Sequence, residues 1–232
     1  VAIPGFSDRR YRIFHPPESA DRQPRPLLVL FDGQNVFDDH GSFSGGWHAH
    51  EAVEKLGQKR LRPYIVGLDH GGTDRIDELS PYPTRWGSGR ADALLQWIAH
   101  SLLPTLRGEL PITEGAAGVL LGGSSMGGLA SFYGHFRYPE TFGGALAMSP
   151  SFWLGGRRLV DFVHGAGKPW ISQLYLDSGA REGTALVEGM SHVLRSRGYD
   201  THKLRVRIDK RGGHDERSWR RRLPNALRFF YK

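Results

Sequence analysis

The chain has 232 residues, 39% of them hydrophobic and 24% charged, a size and balance that suit one large globular domain with a sizeable core. It has no cysteine, which excludes disulfides, zinc–thiolate sites and a cysteine nucleophile, and no apolar run nears the ~20 residues of a membrane helix. A formal net charge of +7 suits steering of an acidic small molecule, but no zinc finger, RNA-recognition signature or basic–aromatic alternation points to nucleic acid.

The first residues, VAIPGFSDRR, lack the basic, apolar, small-residue order of a signal peptide and lack an initiator Met. Cytoplasmic residence and export with a processed N-terminus both stay open. Apolar β-rich runs then alternate with longer segments of helical periodicity. Strands are expected at 9–15, 26–32, 63–69, 116–123, 143–149, 171–177 and 203–209, several of them continuously apolar, as in sheets covered on both faces. Helices are expected at 48–59, 91–108, 126–137, 184–197 and 216–231. In the second of these Leu94, Leu95, Ile98, Leu102 and Leu103 recur at helical spacing. The Pro-rich stretch 15–26 reads as a loop between the first two strands. Segment 70–90 has no clear periodicity and reads as a long loop of the kind that often carries function. Late in the chain, Lys210, Arg211, Arg217, Arg220, Arg221 and Arg222 crowd together and read as a solvated helix face. The alternation predicts an α/β fold of one domain over 1–232, with a mostly parallel central sheet and helices on both faces.

The stretch VLLGGSSMGGL holds two adjacent serines. Only Ser125 satisfies G-x-S-x-G, with Gly123 and Gly127 two residues to either side; Met126 stands where Ser124 would need its second glycine. This spacing belongs to a nucleophile elbow, a sharp strand-to-helix turn in which side chains at those positions would collide. The motif alone is weak, but a buried-strand pattern precedes it and a helical pattern follows it. The N–H of Met126 then stands where an oxyanion forms. Ser124 is the turn residue beneath.

A serine hydroxyl needs a base to take its proton, and on this kind of fold the partners follow in the order acid, then His. His192 lies within a helical pattern, His164 precedes any acid on a later strand end, and His202 precedes the last strand. His214 follows that strand in a Gly-containing loop, where a base belongs. The acid should follow the preceding strand. Both Asp177 and Glu182 do so; Glu182, farther out on the loop, has the better reach, while Asp177 is open to a turn role.

At this point the segments GGSSMGG, SGARE and GGHD, with LFDGQNVF and DRIDELSPY, resemble the esterase D branch of the α/β-hydrolases. That branch includes enterochelin esterase-like enzymes, feruloyl and acetylxylan esterases, S-formylglutathione hydrolases and mycolyltransferases. The likeness runs from Arg9 to Tyr231. It implies an α/β-hydrolase fold and a serine carboxylesterase without cofactor, acting on a small-molecule ester. It also implies Glu182 as the acid, at the fourth place of Gly179-Ala180-Arg181-Glu182, and the N–H of Gln34 as second oxyanion donor. Asp32 braces that loop, and Asp74, Arg75, Asp77 and Glu78 brace the site through ion pairs. Transfer of the acyl group to a sugar or alcohol with the same residues, and a non-catalytic binding module, are the alternatives. No large lid insertion interrupts the chain, so an open site for short acyl esters is expected.

Asp38, Asp39, His40, His48 and His50 invite a metal, but His48 and His50 are spaced so as not to share a helix face, and no metal is expected. Among the loop aromatics, Trp47 and Trp153 are candidates for the substrate pocket. A monomer is the default.

Overall fold

The computed structural model describes residues 1–42 and 44–231; Phe43 and Lys232, inside the span 1–232 expected for the domain, lie outside them. Seven strands form one sheet: β1 (Tyr11–Phe14), β2 (Leu27–Phe31), β3 (Tyr64–Leu68), β4 (Val119–Ser124), β5 (Gly144–Met148), β6 (Gln173–Gly179) and β7 (Leu204–Asp209). Their spatial order is β1-β3-β2-β4-β5-β6-β7. Only β1 runs antiparallel, pairing with β3; every other pair is parallel. Each expected strand is present, with ends shifted by a few residues.

The helices are α1 (Ala49–Glu54), α2 (Arg75–Leu79), α3 (Ala91–Trp97), α4 (Leu103–Glu109), α5 (Ser125–Arg137), α6 (Phe152–Gly165), α7 (Ala185–Ser196) and α8 (Glu216–Phe230). A π turn over Ile98–Leu102 joins α3 to α4. Side-chain alternation along the strands divides the core in two. Leu27, Val29, Phe31, Leu121, Ala145 and Leu174 face α3 to α7, while Leu28, Leu30, Leu120, Leu146 and Tyr175 face α1 and α8. This two-residue period explains why the central strands read as unbroken apolar runs: both faces are covered.

Three expectations are corrected. Segment 70–90 is not all loop, since a short 3-10 turn (Gly72–Asp74) leads into α2. Helix α6 was not expected: its Gly155-Gly156 pair, with Gly156 at φ 49°, interrupts the spacing of Phe152, Leu159 and Val163 that marks its buried face. The basic run is not wholly a solvated face, because Arg222 is 5% exposed. It sits on the buried stripe of α8 with Trp219, Leu223 and Ala226.

Candidate active site

The parallel strands all end on one edge, where Ser125 follows β4 directly and the loops leaving β6 and β7 carry Glu182 and His214. Ser125 is the first residue of α5 and has φ 54°, a left-handed backbone costing about 1–3 kcal/mol in a residue with a Cβ. The flanking glycines permit it. A Cβ on Gly123 would lie 2.6 Å from the carbonyl carbon of Gly127, and one on Gly127 would lie 3.0 Å from Cβ of Phe31.

His214 Nε2 is 2.9 Å from Ser125 Oγ, and its Nδ1 is 2.5 Å from Glu182 Oε2. The carboxylate only accepts, so Nδ1 carries the hydrogen and Nε2 is left to receive the serine proton. The imidazole is partly exposed and packs edge-on to Trp219, with ring centroids 5.0 Å apart. The His214 loop is pinned by its neighbour: Asp215 caps α8, accepting from the N–H of Ser218 at 2.8 Å, while Gly213 N–H donates to Ser218 Oγ at 3.0 Å. Ser125 Oγ also lies 3.1 Å from Ser151 Oγ.

Glu182 is held by a second set of groups that sequence reasoning missed. Its Oε1 accepts from Ser149 Oγ at 2.6 Å and from the N–H of Gly179, and Arg222 Nη1 stands 3.5 Å away. Arg222 Nη2 and Trp219 Nε1 both donate to Ser149 Oγ, at 2.7 and 3.0 Å. Burial raises the Glu182 carboxyl, but hydrogen bonds from His214, Ser149 and Gly179 outweigh it and leave the group below its ordinary value. Asp177, the other acid candidate, is fully buried in β6 and does not reach His214. Its Oδ1 accepts from the Ser149 N–H at 3.2 Å, and its Oδ2 lies 3.4 Å from Arg222 Nε without an aligned hydrogen bond. Burial pushes Asp177 up to about 7, against the opposing pull of Arg222. The signal for Arg222 was present in the chain: it occupies a position on the apolar stripe of α8, where an unpaired arginine would not be tolerated.

Met126 is the second residue of α5, so its N–H has no partner within the helix. Gln34 holds the same position in a 3-10 turn (Gly33–Asn35) after β2. Asp32, at φ 58°, starts that turn, and Arg75 grips it in a bidentate pair at 2.6 and 2.7 Å. Arg75 thus braces the loop through Nε and Nη2. Two cavities flank Ser125 and His214. One, of about 250 Å³, is lined by Pro150, Ser151, Trp153, Leu186, Val187 and His214. The other, of about 490 Å³, is polar and holds Gln34, Asn35, His70, Arg75, Ser125 and His214.

Trp153 lines the smaller cavity and meets Trp86 edge-on, with centroids 6.2 Å apart. Trp47 lines neither cavity; at 2% exposed it packs in the core with Trp219 and the α1 residues Ala49, Ala52 and Val53. His48 lies 2.9 Å from both Asp39 and Glu51, and these hydrogen bonds raise its pKa. No group of three or more metal-ligating side chains occurs among the described residues.

A family model described as "Putative esterase" matches residues 6–230. The chain belongs to this esterase family. Membership places it among hydrolases acting on ester bonds. It is 23% identical to protein YbbA of Bacillus subtilis, over 97% of this chain and 93% of that one. It is 29% identical to an iron(III) salmochelin esterase of Escherichia coli over 88% of this chain and 50% of the relative, so it spans about half that enzyme's length. A crystal structure of an enterobactin esterase from Shigella flexneri superposes with a TM-score of 0.75, at 23% identity, over 94% of this chain and 54% of that one. The shared fold is that of the α/β-hydrolases. Among the described residues no helix is long and apolar enough to cross a membrane.

Proposed function

We propose that this esterase hydrolyses short-acyl or aryl carboxylic esters through an acyl-enzyme on Ser125. The observation that carries the reading is the continuous chain of contacts from Ser125 Oγ to His214 Nε2 and from His214 Nδ1 to Glu182. Ser125 Oγ attacks the ester carbonyl carbon as its proton passes to Nε2. The carbonyl oxygen takes the displaced electron pair and is held by the N–H groups of Met126 and Gln34. Collapse expels the alcohol, protonated by His214, and His214 then activates water to release the acid. Glu182 orients the imidazole and stabilises its charged form. Trp153 supplies an aromatic wall for the group in the smaller cavity, whose volume of about 250 Å³ suits a small acyl or aryl unit. The salmochelin and enterobactin esterases among the relatives favour a siderophore ester as the natural substrate class.

Labelling by a fluorophosphonate tests the reading. The wild type is expected to label and Ser125→Ala to lose both labelling and turnover. A chain that neither labels nor hydrolyses any ester in a panel of aryl acetate, feruloyl, acetylated-sugar, siderophore and thioester substrates is a binding module, not an enzyme. Product analysis with an added alcohol acceptor separates hydrolysis from acyl transfer.

A further inference from the structure

The basic excess gathers in one place beside the site. Arg181 follows β6, Arg211 follows β7, and Arg217 and Arg221 stand one turn apart on α8, yet all four line a single cavity of about 670 Å³. Arg221 is paired with Asp209 at 2.6 Å. The guanidiniums of Arg181, Arg211 and Arg217 are exposed and have no carboxylate partner among the described residues. The carboxylate of Asp215 in the same wall is committed to capping Ser218. Gly213 and Asp215, the neighbours of His214, belong to this wall, and the cavity shares Ser44 and Asp215 with the polar cleft that holds Ser125. A group leaving the serine past the His214 loop therefore enters a net positive field, in which the arginines outnumber the one carboxylate of the wall, Asp215.

We propose that this cavity is a subsite for an anionic arm of the ester substrate, one bearing carboxylate, sulfonate or phosphate oxygens. The inference rests on the ester-hydrolase reading and adds to it the charge of the substrate. Guanidinium forks suit such oxyanions, gripping them with paired N–H donors. Three like charges within one cavity repel each other in the empty state, and an anion relieves that repulsion. The same field steers an anionic ester toward the cleft over a range set by the ~8 Å Debye length at physiological salt.

The test compares hydrolysis of 1-naphthyl acetate with that of its ring-disulfonated counterpart. The ratio of kcat/KM, disulfonated over neutral, is expected to exceed one, and to fall at least about tenfold in Arg211→Gln/Arg217→Gln. The control Arg60→Gln/Arg107→Gln, which removes two exposed charges elsewhere, leaves the ratio unchanged. Raising salt from low to high ionic strength in the wild type lowers turnover of the disulfonated ester only. A ratio that both double variants reduce equally reports net charge and overturns the subsite. So does equal inhibition of both esters by inorganic sulfate, which marks a site for free anions. Failure of the ester-hydrolase reading looks different: neither ester turns over, and Ser125→Ala changes nothing.

Discussion

Replacing Arg222 by Met removes the cation that Glu182, Asp177 and Ser149 share. Arg222 and Asp177 are 5% and 0% exposed, and breaking a buried ion pair by removing one partner typically costs about 3–5 kcal/mol. Asp177 limits the loss, because burial already holds its carboxyl at about 7 and it takes up a proton when Arg222 is gone. The lower end, about 3 kcal/mol at pH 7, is therefore expected, and at about 2–4 °C per kcal/mol for a domain of this size the melting temperature falls by roughly 6–12 °C. The loss is smaller at pH 5.5, where Asp177 is neutral in the wild type too, and larger at pH 8, where its charge is left without a partner. Glu182 keeps Ser149 and Gly179 as donors, so kcat/KM on an aryl acetate falls by about tenfold and is not abolished. Thermal and urea unfolding at three pH values, with kinetics on the same samples, measure all of this. A stability loss below about 1 kcal/mol, or a loss greater at pH 5.5 than at pH 8, would refute the reasoning.

Asp177 makes a separate statement about pH. A carboxyl raised in the folded state binds its proton more tightly there than when unfolded, so its contribution is fully present below about 4 and is lost as pH rises through about 7. The slope of stability over that window should flatten in Asp177→Asn; an unchanged slope rules the assignment out. Gly123→Ala puts a Cβ 2.6 Å from the Gly127 backbone, and displacing the elbow should lower kcat/KM by about a hundredfold. Gly57→Ala, with nothing within 4 Å, serves as the neutral comparison, and similar activity in both would contradict the elbow geometry. Trp153→Ala should reduce the preference for an aryl over an acetyl acyl group severalfold, because Trp153 is 57% exposed and an aromatic contact is worth about 0.5–1.5 kcal/mol. An unaltered preference places the acyl group elsewhere.

Most of the fold was legible because its determinants are local and periodic. Strands covered on both faces announce themselves as apolar runs, and α5 and α8 as periodic segments after turns. Helix α6 was not, since Gly155 and Gly156 break its pattern where the chain kinks. At the site, G-x-S-x-G selected Ser125 over Ser124, and the order of elements selected His214 while leaving Glu182 and Asp177 both open, with the family resemblance favouring Glu182. The choice between Glu182 and Asp177 is a matter of reach across the loop: only folding puts Glu182 against His214 and leaves Asp177 under it. The contacts of Arg222 and Ser149 were illegible for a related reason, although Arg222 is marked by its place on the apolar stripe of α8. The two residues lie 40 and 33 residues from Glu182, a separation that hides their shared partner until the chain folds. Trp47 erred in the opposite way, since an aromatic in a glycine-rich loop looks free until the core closes over it.

The acyl-enzyme itself is the most direct test of the account. On rapid mixing with excess aryl acetate, the phenol should appear in a burst of one equivalent per active chain, and peptide mapping of the acid-quenched protein should find acetyl on Ser125. A linear onset with no acetylated peptide, or acetyl on Ser124 or Ser151 in its place, would contradict it.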